Sequence, residues 1–189
     1  MSWTRSVSPD LEGAPESFDR IRATSSAGQV AGIWQALALD LPGLEASHAL
    51  YRALMGNPAP LTRAQAELIA VVVSALNGCG YCVAHHGPKL ARALGDDALA
   101  RAVALDYRAA NLKAQDRVLL DYAVALTCEP SERTRADVER LTEYGFADPS
   151  VVRATGITAY YNFTNRIVNG LGVELEPGLS PWPFGNQKS

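Results

Sequence analysis

The chain has 189 residues, 48% of them hydrophobic and 20% charged, which is the composition of an ordinary globular domain and argues against intrinsic disorder. Seventeen Lys and Arg against twenty Asp and Glu give a net charge of −3 without any basic block, which argues against a nucleic-acid binder. No apolar run approaches the roughly 20 residues of a membrane span, and the N-terminal segment lacks the apolar core of a signal peptide, so we expect a soluble, cytoplasmic protein without a membrane partner.

Good helix formers dominate the sequence and strand-like alternation is almost absent, so we predict an all-α fold in a single domain over residues 1–189. Residues 1–22 contain several Pro and Gly residues and predict an extended N-terminal arm. Helices are predicted over residues 27–39, 43–55, 62–76, 79–94, 96–109, 113–127, 134–144 and 149–169. Residues 170–189 predict an extended C-terminal tail, because Gly and Pro interrupt it repeatedly.

Local signals mark several helix ends. Thr62 followed three residues later by Gln65 is a capping-box pattern. Gly78 is suited to the left-handed residue after a helix, and Asp96 is suited to cap the helix after it. The tail carries Trp182 and Phe184, which we expect to pack either on the same domain or on a neighbouring subunit. The apolar helices and this tail together predict a homo-oligomer.

The chain contains only three cysteines, which is not the pattern of a disulfide framework. Cys79 and Cys82 form a Cys-x-x-Cys, a spacing that suggests redox or metal chemistry in a reducing compartment. Both lie at the start of a predicted helix, so their sulfurs should share one side of it and be able to form a disulfide. The positive end of the helix dipole favours a thiolate, which is the nucleophilic form of cysteine. Cys128 is expected to be a small buried hydrophobe.

Two further side chains could act on this pair. His86 lies four residues after Cys82 on the same helical face and could exchange a proton with its sulfur. His85 has the alternative spacing of three, and the spacing alone does not choose between the two histidines. Glu67 opens an otherwise apolar helix and therefore needs a partner, for which a histidine or thiol on the neighbouring antiparallel helix would serve. Tyr81, between the cysteines, either simply packs or, like His85, supports the site.

The combined pattern resembles a known family. Glu67, Cys79, Cys82 and His86 are separated by eleven, two and three residues. This spacing resembles the signature of the AhpD-like alkylhydroperoxidases within the carboxymuconolactone decarboxylase-like superfamily. The segment LTRAQAELIAVVVSALNGCGYCVAHH and the later YYNFTNRIVNGLGVELEP resemble the peroxidase-related branch of that superfamily. The resemblance covers roughly residues 40–180 and implies an AhpD-like bundle of antiparallel helices that oligomerises through helical faces.

The resemblance also implies an antioxidant thiol peroxidase that needs no haem, flavin or other cofactor. The Cys82 thiolate would attack a small-molecule hydroperoxide, become a sulfenic acid and condense with Cys79 to a disulfide. Glu67 and His86 would form the proton relay. A dithiol reductant protein would then reopen the disulfide by thiol exchange.

One position departs from the family pattern. The best-studied family members carry a second histidine immediately before the second cysteine, where this chain has Tyr81. A phenol shares a proton near neutral pH less readily than an imidazole does. The proton relay is therefore expected to be less effective in this chain, and His85 is the side chain that could compensate.

Other functions fit the same residues. Cys79, Cys82, His86 and Glu67 could instead bind Zn²⁺ through two thiolates, an imidazole and a carboxylate. A helical oligomer that only senses redox state or reduces disulfides is a second alternative. Decarboxylase-type chemistry is a third, against which the cysteine pair counts.

On the last predicted helix, polar side chains could contact the site or a subunit interface, or simply hydrogen-bond between helices. They are Asn162, Asn165 and Arg166.

Overall fold

A computed structural model describes residues 2–25 and 28–185 of the chain. Over these residues the regular elements are nine α-helices and no strands, which confirms the all-α prediction. The helices are α1 (Ser17–Thr24), α2 (Gly32–Leu37), α3 (Leu41–Tyr51), α4 (Arg63–Leu76), α5 (Gly80–Leu94), α6 (Asp97–Asp106), α7 (Ala114–Cys128), α8 (Arg135–Glu143) and α9 (Asp148–Leu171). A π-helical turn (Arg52–Gly56) follows α3, and a short 3₁₀ turn (Pro130–Glu132) follows α7. None of the described helices is both long and apolar enough to cross a membrane.

Helix α4 is the centre of the molecule. Every residue from Gln65 to Leu76 is buried, because α5, α6, α7 and α9 pack around it. A helix that is apolar on most faces must be surrounded in this way. The predicted capping box opens it, with the Thr62 hydroxyl accepting the Gln65 N–H at 3.1 Å and the Gln65 side chain accepting the Thr62 N–H at 3.0 Å.

The turn after α4 positions the cysteines. Gly78 has a φ of +66°, the left-handed conformation that an L side chain rarely adopts. The Cys79 N–H then donates to the Ser74 carbonyl oxygen at 2.8 Å, and the chain enters α5. Helix α5 runs back along α4, so that His86 of α5 lies against Glu67 near the start of α4. The predicted antiparallel arrangement of these two helices is confirmed.

The N-terminal region differs from its prediction. Residues 1–22 are not an extended arm throughout, because α1 forms over Ser17–Thr24. Its residues Phe18 and Ile21, three apart on one face, are buried in a small apolar cluster with residues of α2. The predicted helix over 27–39 shortens to α2, and the one over 43–55 begins at Leu41. Residues 1 and 27 of these predicted segments lie outside the described residues.

The C-terminal tail packs on its own domain. Trp182 is buried, and its ring lies so close to Gly87 of α5 that a Cβ there would be 2.6 Å from it. The Arg101 guanidinium covers the same ring at 4.1 Å from its centroid. The Gly185 N–H donates to the Ala104 carbonyl oxygen at 3.0 Å. The last four residues of the predicted tail, 186–189, lie outside the described part of the chain.

Candidate active site

The two cysteines of the pair occupy the mouth of α5 and are free thiols. Cys79 is the N-cap residue, and its sulfur accepts the backbone N–H of Cys82 at 3.4 Å. Both side chains are buried, but Cys82 lines a cavity of about 700 Å³ and Cys79 is not part of its wall. A small molecule that enters the cavity therefore meets the Cys82 sulfur first.

The two sulfurs have different proton affinities. The pKa of Cys79 is lowered because its sulfur accepts hydrogen bonds from the Cys82 thiol and from the Cys82 backbone N–H. Burial raises the pKa of Cys82, and the adjacent Cys79 sulfur raises it further. The thiolate form is therefore favoured at Cys79 and disfavoured at Cys82, whereas their position at a helix N-terminus predicts a lowered pKa for both. The first negative charge on the pair is expected on Cys79, with Cys82 as its hydrogen-bond donor.

A polar cradle surrounds the sulfurs. The Asn165 side chain of α9 is fully buried, and its hydrogen bonds to both sulfurs lower their pKa values. Its Nδ2 group donates to the Ser74 hydroxyl at 3.0 Å, and a hydrogen bond from Ser74 also lowers the pKa of Cys82. Sequence reasoning missed Ser74, although a serine inside a buried apolar helix signals a polar partner.

The other two polar residues singled out on the last helix have structural roles. Asn162 donates to the Thr127 hydroxyl of α7 at 2.9 Å, and Arg166 donates to the Asn162 carbonyl oxygen at 2.6 Å. Of the three, only Asn165 contacts the cysteines.

Glu67 and His86 form a buried pair. The Nδ1–H of His86 donates to Glu67 Oε2 at 2.7 Å, which confirms that the Glu67 carboxylate finds its partner on the antiparallel helix. Burial, together with the nearby Lys89 charge, lowers the pKa of His86 to about 4, so the ring is neutral near pH 7. Burial alone would raise the pKa of Glu67, but His86, Lys89 and Arg63 lower it overall. The pair is therefore a carboxylate and a neutral imidazole.

Tyr161 of α9 completes this arrangement and was not found from the sequence. Its O–H donates to His86 Nε2 at 3.0 Å, and burial raises the pKa of this phenol well above its ordinary value. Both ring nitrogens of His86 are thus engaged. Within the described part of the chain no hydrogen bond joins His86 to Cys82, because Tyr161 occupies the second ring nitrogen, so the predicted proton exchange between them would have to pass through Tyr161. The Cys82 charge nevertheless acts on Tyr161.

A second polar cluster lies in the same cavity around Glu176 of the tail. His85 Nε2 donates to Glu176 Oε2 at 2.9 Å, and the Tyr81 O–H donates to Glu176 Oε1 at 2.6 Å. The Gly32 N–H donates to the same Oε1 atom at 2.5 Å. The Tyr81 ring packs on His85 with centroids 4.5 Å apart. The polar atoms of both residues bond to Glu176, and within the described chain neither makes a hydrogen bond to a sulfur. Glu176 was missed because nothing local in the tail indicates where it docks.

These contacts predict a pH-dependent anchor for the tail. Burial would raise the pKa of Glu176, but the hydrogen bonds from His85, Gly32 and Tyr81 lower it overall, from 4.5 to about 2. The contribution of the ionised Glu176 carboxylate to the free energy of unfolding is therefore complete above pH 4.5 and is lost as the pH falls through about 2. We expect Glu176→Gln to lower the free energy of unfolding at pH 7 by about 1.5–3 kcal/mol. Urea unfolding of both proteins should show that the difference in their free energies of unfolding becomes smaller towards pH 3. A difference that does not change with pH would contradict the prediction.

The cavity unites most of the predicted site residues. Its walls come from α1 to α5, the Arg52–Gly56 turn, α9 and the tail. The predicted residues on its wall are Glu67, Tyr81, Cys82, His85 and His86, and the structure adds Tyr161 and Glu176. Cys79 lies behind Cys82. Cys128 lies at the end of α7 and is exposed, so its predicted burial is wrong.

The geometry does not support the zinc alternative. Among the residues that the structure describes, no group of three or more His, Cys, Asp or Glu side chains converges as metal ligands. His86 already uses both ring nitrogens on protein partners. Cys79, Cys82, His86 and Glu67 therefore do not form the four-ligand set that Zn²⁺ needs.

A family model and several solved structures are similar to this chain. The model of the carboxymuconolactone decarboxylase family matches residues 44–104, which contain Glu67, both cysteines of the pair and His86. An alkylhydroperoxidase AhpD core structure, described as an uncharacterized peroxidase-related protein from Ralstonia eutropha JMP134, is 30% identical with a TM-score of 0.85, over 93% of each chain. A peroxidase-related protein from Silicibacter sp. TM1040 is 29% identical with a TM-score of 0.83, over 93% of this chain and 95% of that one.

A more distant structure has the same fold. The debrominase Bmp8, solved in complex with 2,3,4-tribromopyrrole, is 15% identical with a TM-score of 0.72, over 92% of this chain and 95% of its own. No curated protein matches the chain with significant similarity.

Fold and site together define an all-α protein with a buried dithiol and a buried carboxylate–imidazole pair, in which Cys82, Glu67 and His86 line one cavity. The chain belongs to the AhpD-like, carboxymuconolactone decarboxylase-like superfamily.

Proposed function

We propose that this protein is a cofactor-free thiol peroxidase that reduces organic hydroperoxides with the Cys79–Cys82 pair. One observation carries the proposal. Cys82 is reachable from the cavity, and Cys79 behind it has a lowered pKa. Tyr161, which is hydrogen-bonded to His86 and through it to Glu67, is close enough for the charge of Cys82 to act on it. A nucleophile on the cavity wall, a resolving thiol behind it and a proton carrier on the same wall are thus available together.

The first step oxidises Cys82. Its thiol gives up a proton, and the sulfur attacks the terminal oxygen of the hydroperoxide. The O–O bond breaks, the sulfur becomes a sulfenic acid, and the leaving alkoxide takes up a proton and departs as an alcohol. We assign the proton transfer to Tyr161, with His86 accepting from the phenol or returning its proton and Glu67 fixing the tautomer of the imidazole.

The second step oxidises Cys79 and releases water. The Cys79 thiolate attacks the sulfenic sulfur, the S–S bond forms, and the hydroxyl group leaves with a proton. The lowered pKa of Cys79 suits this role, because a thiolate is the attacking form. A dithiol protein would then restore both thiols by exchange and leave as a disulfide. That reductant, assembly as a homo-oligomer and location in the cytoplasm remain predictions.

The test uses stoichiometric chemistry and measures the alcohol product, because oxidation of the cysteine pair does not by itself identify a hydroperoxide as the oxidant. Reduced protein receives one equivalent of cumene hydroperoxide, and alcohol product, intact mass and free thiols are measured. We expect one equivalent of cumyl alcohol, loss of two hydrogens from the protein mass, and one remaining thiol, that of Cys128. Unchanged hydroperoxide after prolonged incubation would overturn the proposal.

A further inference from the structure

We propose that the substrate of this cavity is an amphiphilic anion, a fatty-acid hydroperoxide in which an apolar acyl chain separates the carboxylate from the O–O group. The inference deepens the proposed function and rests on it for the reacting end, Cys82. The walls of the cavity indicate the other two parts of the ligand, its apolar chain and its carboxylate.

An aromatic wall accounts for the apolar spacer. The rings of Trp34, Tyr51 and Tyr160 follow one another along the cavity, with centroid separations of 6.0 Å and 6.1 Å. Ile33 and Met55 extend this surface. A volume of about 700 Å³ with such walls is much larger than a hydrogen peroxide molecule needs and within the range of sites that enclose drug-sized ligands. Burial of an acyl chain there is favourable because it removes apolar surface from water.

The charges on the cavity wall account for the carboxylate. The described lining contains four cationic side chains, Arg52, Arg63, Lys89 and Arg92, against two carboxylates. Each carboxylate already accepts a hydrogen bond from a histidine. The wall is therefore positive although the whole chain has a net charge of −3. A cleft lined by one sign of charge concentrates ligands of the opposite sign.

Two of these cations, Arg52 and Arg92, have neither an ion pair nor a side-chain hydrogen bond of the kind that Arg63 and Lys89 have within the described residues. Arg63 lies 3.7 Å from Glu67 and also donates to backbone carbonyl oxygens, and Lys89 donates to the Tyr51 hydroxyl at 3.5 Å. Arg52 and Arg92 are exposed and form no ion pair with any residue in the described ranges 2–25 and 28–185. Guanidinium groups of this kind bind carboxylates in a bidentate manner.

Helix α5 sets the distance between the two ends of the ligand. Cys82, Lys89 and Arg92 all line the cavity from this one helix. At 1.5 Å per residue, the seven and ten residues from Cys82 correspond to about 10 Å and 15 Å along the axis. A hydroperoxide at the Cys82 sulfur would thus place a carboxylate against the cations only if a medium-length acyl chain joined them. A short neutral hydroperoxide would leave the cationic end unused.

The kinetic test compares linoleic acid hydroperoxide with its methyl ester, both below their micelle concentrations. We expect reduced protein to react about tenfold faster with the acid at low salt, a preference that decreases as ionic strength rises. The double variant Arg52→Gln/Arg92→Gln should bring the acid-to-ester ratio close to one. The matched control is Arg135→Gln on α8, outside the cavity, which should keep the wild-type ratio. Equal acid and ester rates in the wild-type protein, or a ratio that the double variant does not change, would overturn the inference.

A binding test separates this inference from the proposed function. Calorimetry with unreactive linoleate and methyl linoleate on the reduced wild-type protein needs no peroxide chemistry. Tighter binding of linoleate, lost in the double variant, supports the ligand class even if no hydroperoxide is consumed, in which case only the proposed function fails. Turnover of cumene hydroperoxide without any preference for linoleate over its ester overturns the ligand class and leaves the peroxidase function standing.

Discussion

We expect Cys82→Ser to abolish the reduction of organic hydroperoxides, because Cys82 is the sulfur of the pair that lines the cavity. A serine hydroxyl lacks the ionised, polarisable sulfur that attacks the O–O bond. Cys79→Ser is expected to react once and stop, since the sulfenic acid on Cys82 then has no partner for a disulfide. Stopped-flow consumption of cumene hydroperoxide, followed by mass analysis after dimedone trapping, measures both effects.

The third cysteine provides the matched control. Cys128→Ser removes an exposed thiol at the end of α7 and should leave the rate and the disulfide unchanged. The reverse pattern, with a single reaction in Cys82→Ser and no reaction in Cys79→Ser, would assign the attack to Cys79. That outcome would mean that the lower pKa of Cys79 matters more than the access of Cys82 to the cavity.

The second large effect is expected at the Glu67–His86 pair. We expect Glu67→Gln and His86→Ala to slow the single-turnover reaction by about 10²-fold or more, the usual size of general acid–base assistance. Glu67→Gln removes the carboxylate that holds the proton on His86 Nδ1, and His86→Ala removes the nitrogen that accepts the Tyr161 O–H. Rates with cumene hydroperoxide at pH 7 measure both.

The pH profile tests the assigned protonation state. The pKa of His86 is lowered to about 4, so its Nε2 atom can accept the Tyr161 proton at neutral pH and loses that ability as the pH falls through about 4. The rate gap between wild type and His86→Ala should therefore close in that range. Glu45→Gln, an exposed carboxylate of α3 paired with Arg20 at 2.7 Å, is the matched control and should keep the wild-type rate. Unchanged rates in both site variants would leave the pair with a structural role only.

Helix α9 contributes more to the site than the Cys-x-x-Cys motif suggests. Tyr161 and Asn165 lie one helical turn apart on the same face of α9. The first contacts His86 and the second contacts both cysteine sulfurs. One helix thereby fixes the Glu67–His86 pair and the dithiol relative to each other, which is the arrangement that the proposed proton transfer through Tyr161 requires.

The features that the sequence determined by itself are those set within one or two helical turns. An apolar run predicts the buried α4, and the Thr62–Gln65 spacing predicts its cap. The spacing of Cys79 and Cys82 places both sulfurs at the mouth of α5. The need of Glu67 for a partner across a short turn is also a local argument, because Gly78 folds α5 directly back on α4. Helix geometry and hydrogen-bond satisfaction are enough for each of these.

Only the tertiary structure decided how protons are distributed in the site. Tyr161 reaches His86 across 75 residues of sequence, and Glu176 reaches His85 across 91, distances over which no local pattern specifies a contact. A helix N-terminus alone would lower the pKa of both cysteines. Burial nevertheless raises the pKa of Cys82, whereas the hydrogen bonds that Cys82 donates to Cys79 lower the pKa of Cys79. The cost of removing a charge from water depends on every element packed around it, and that packing exists only in the folded chain.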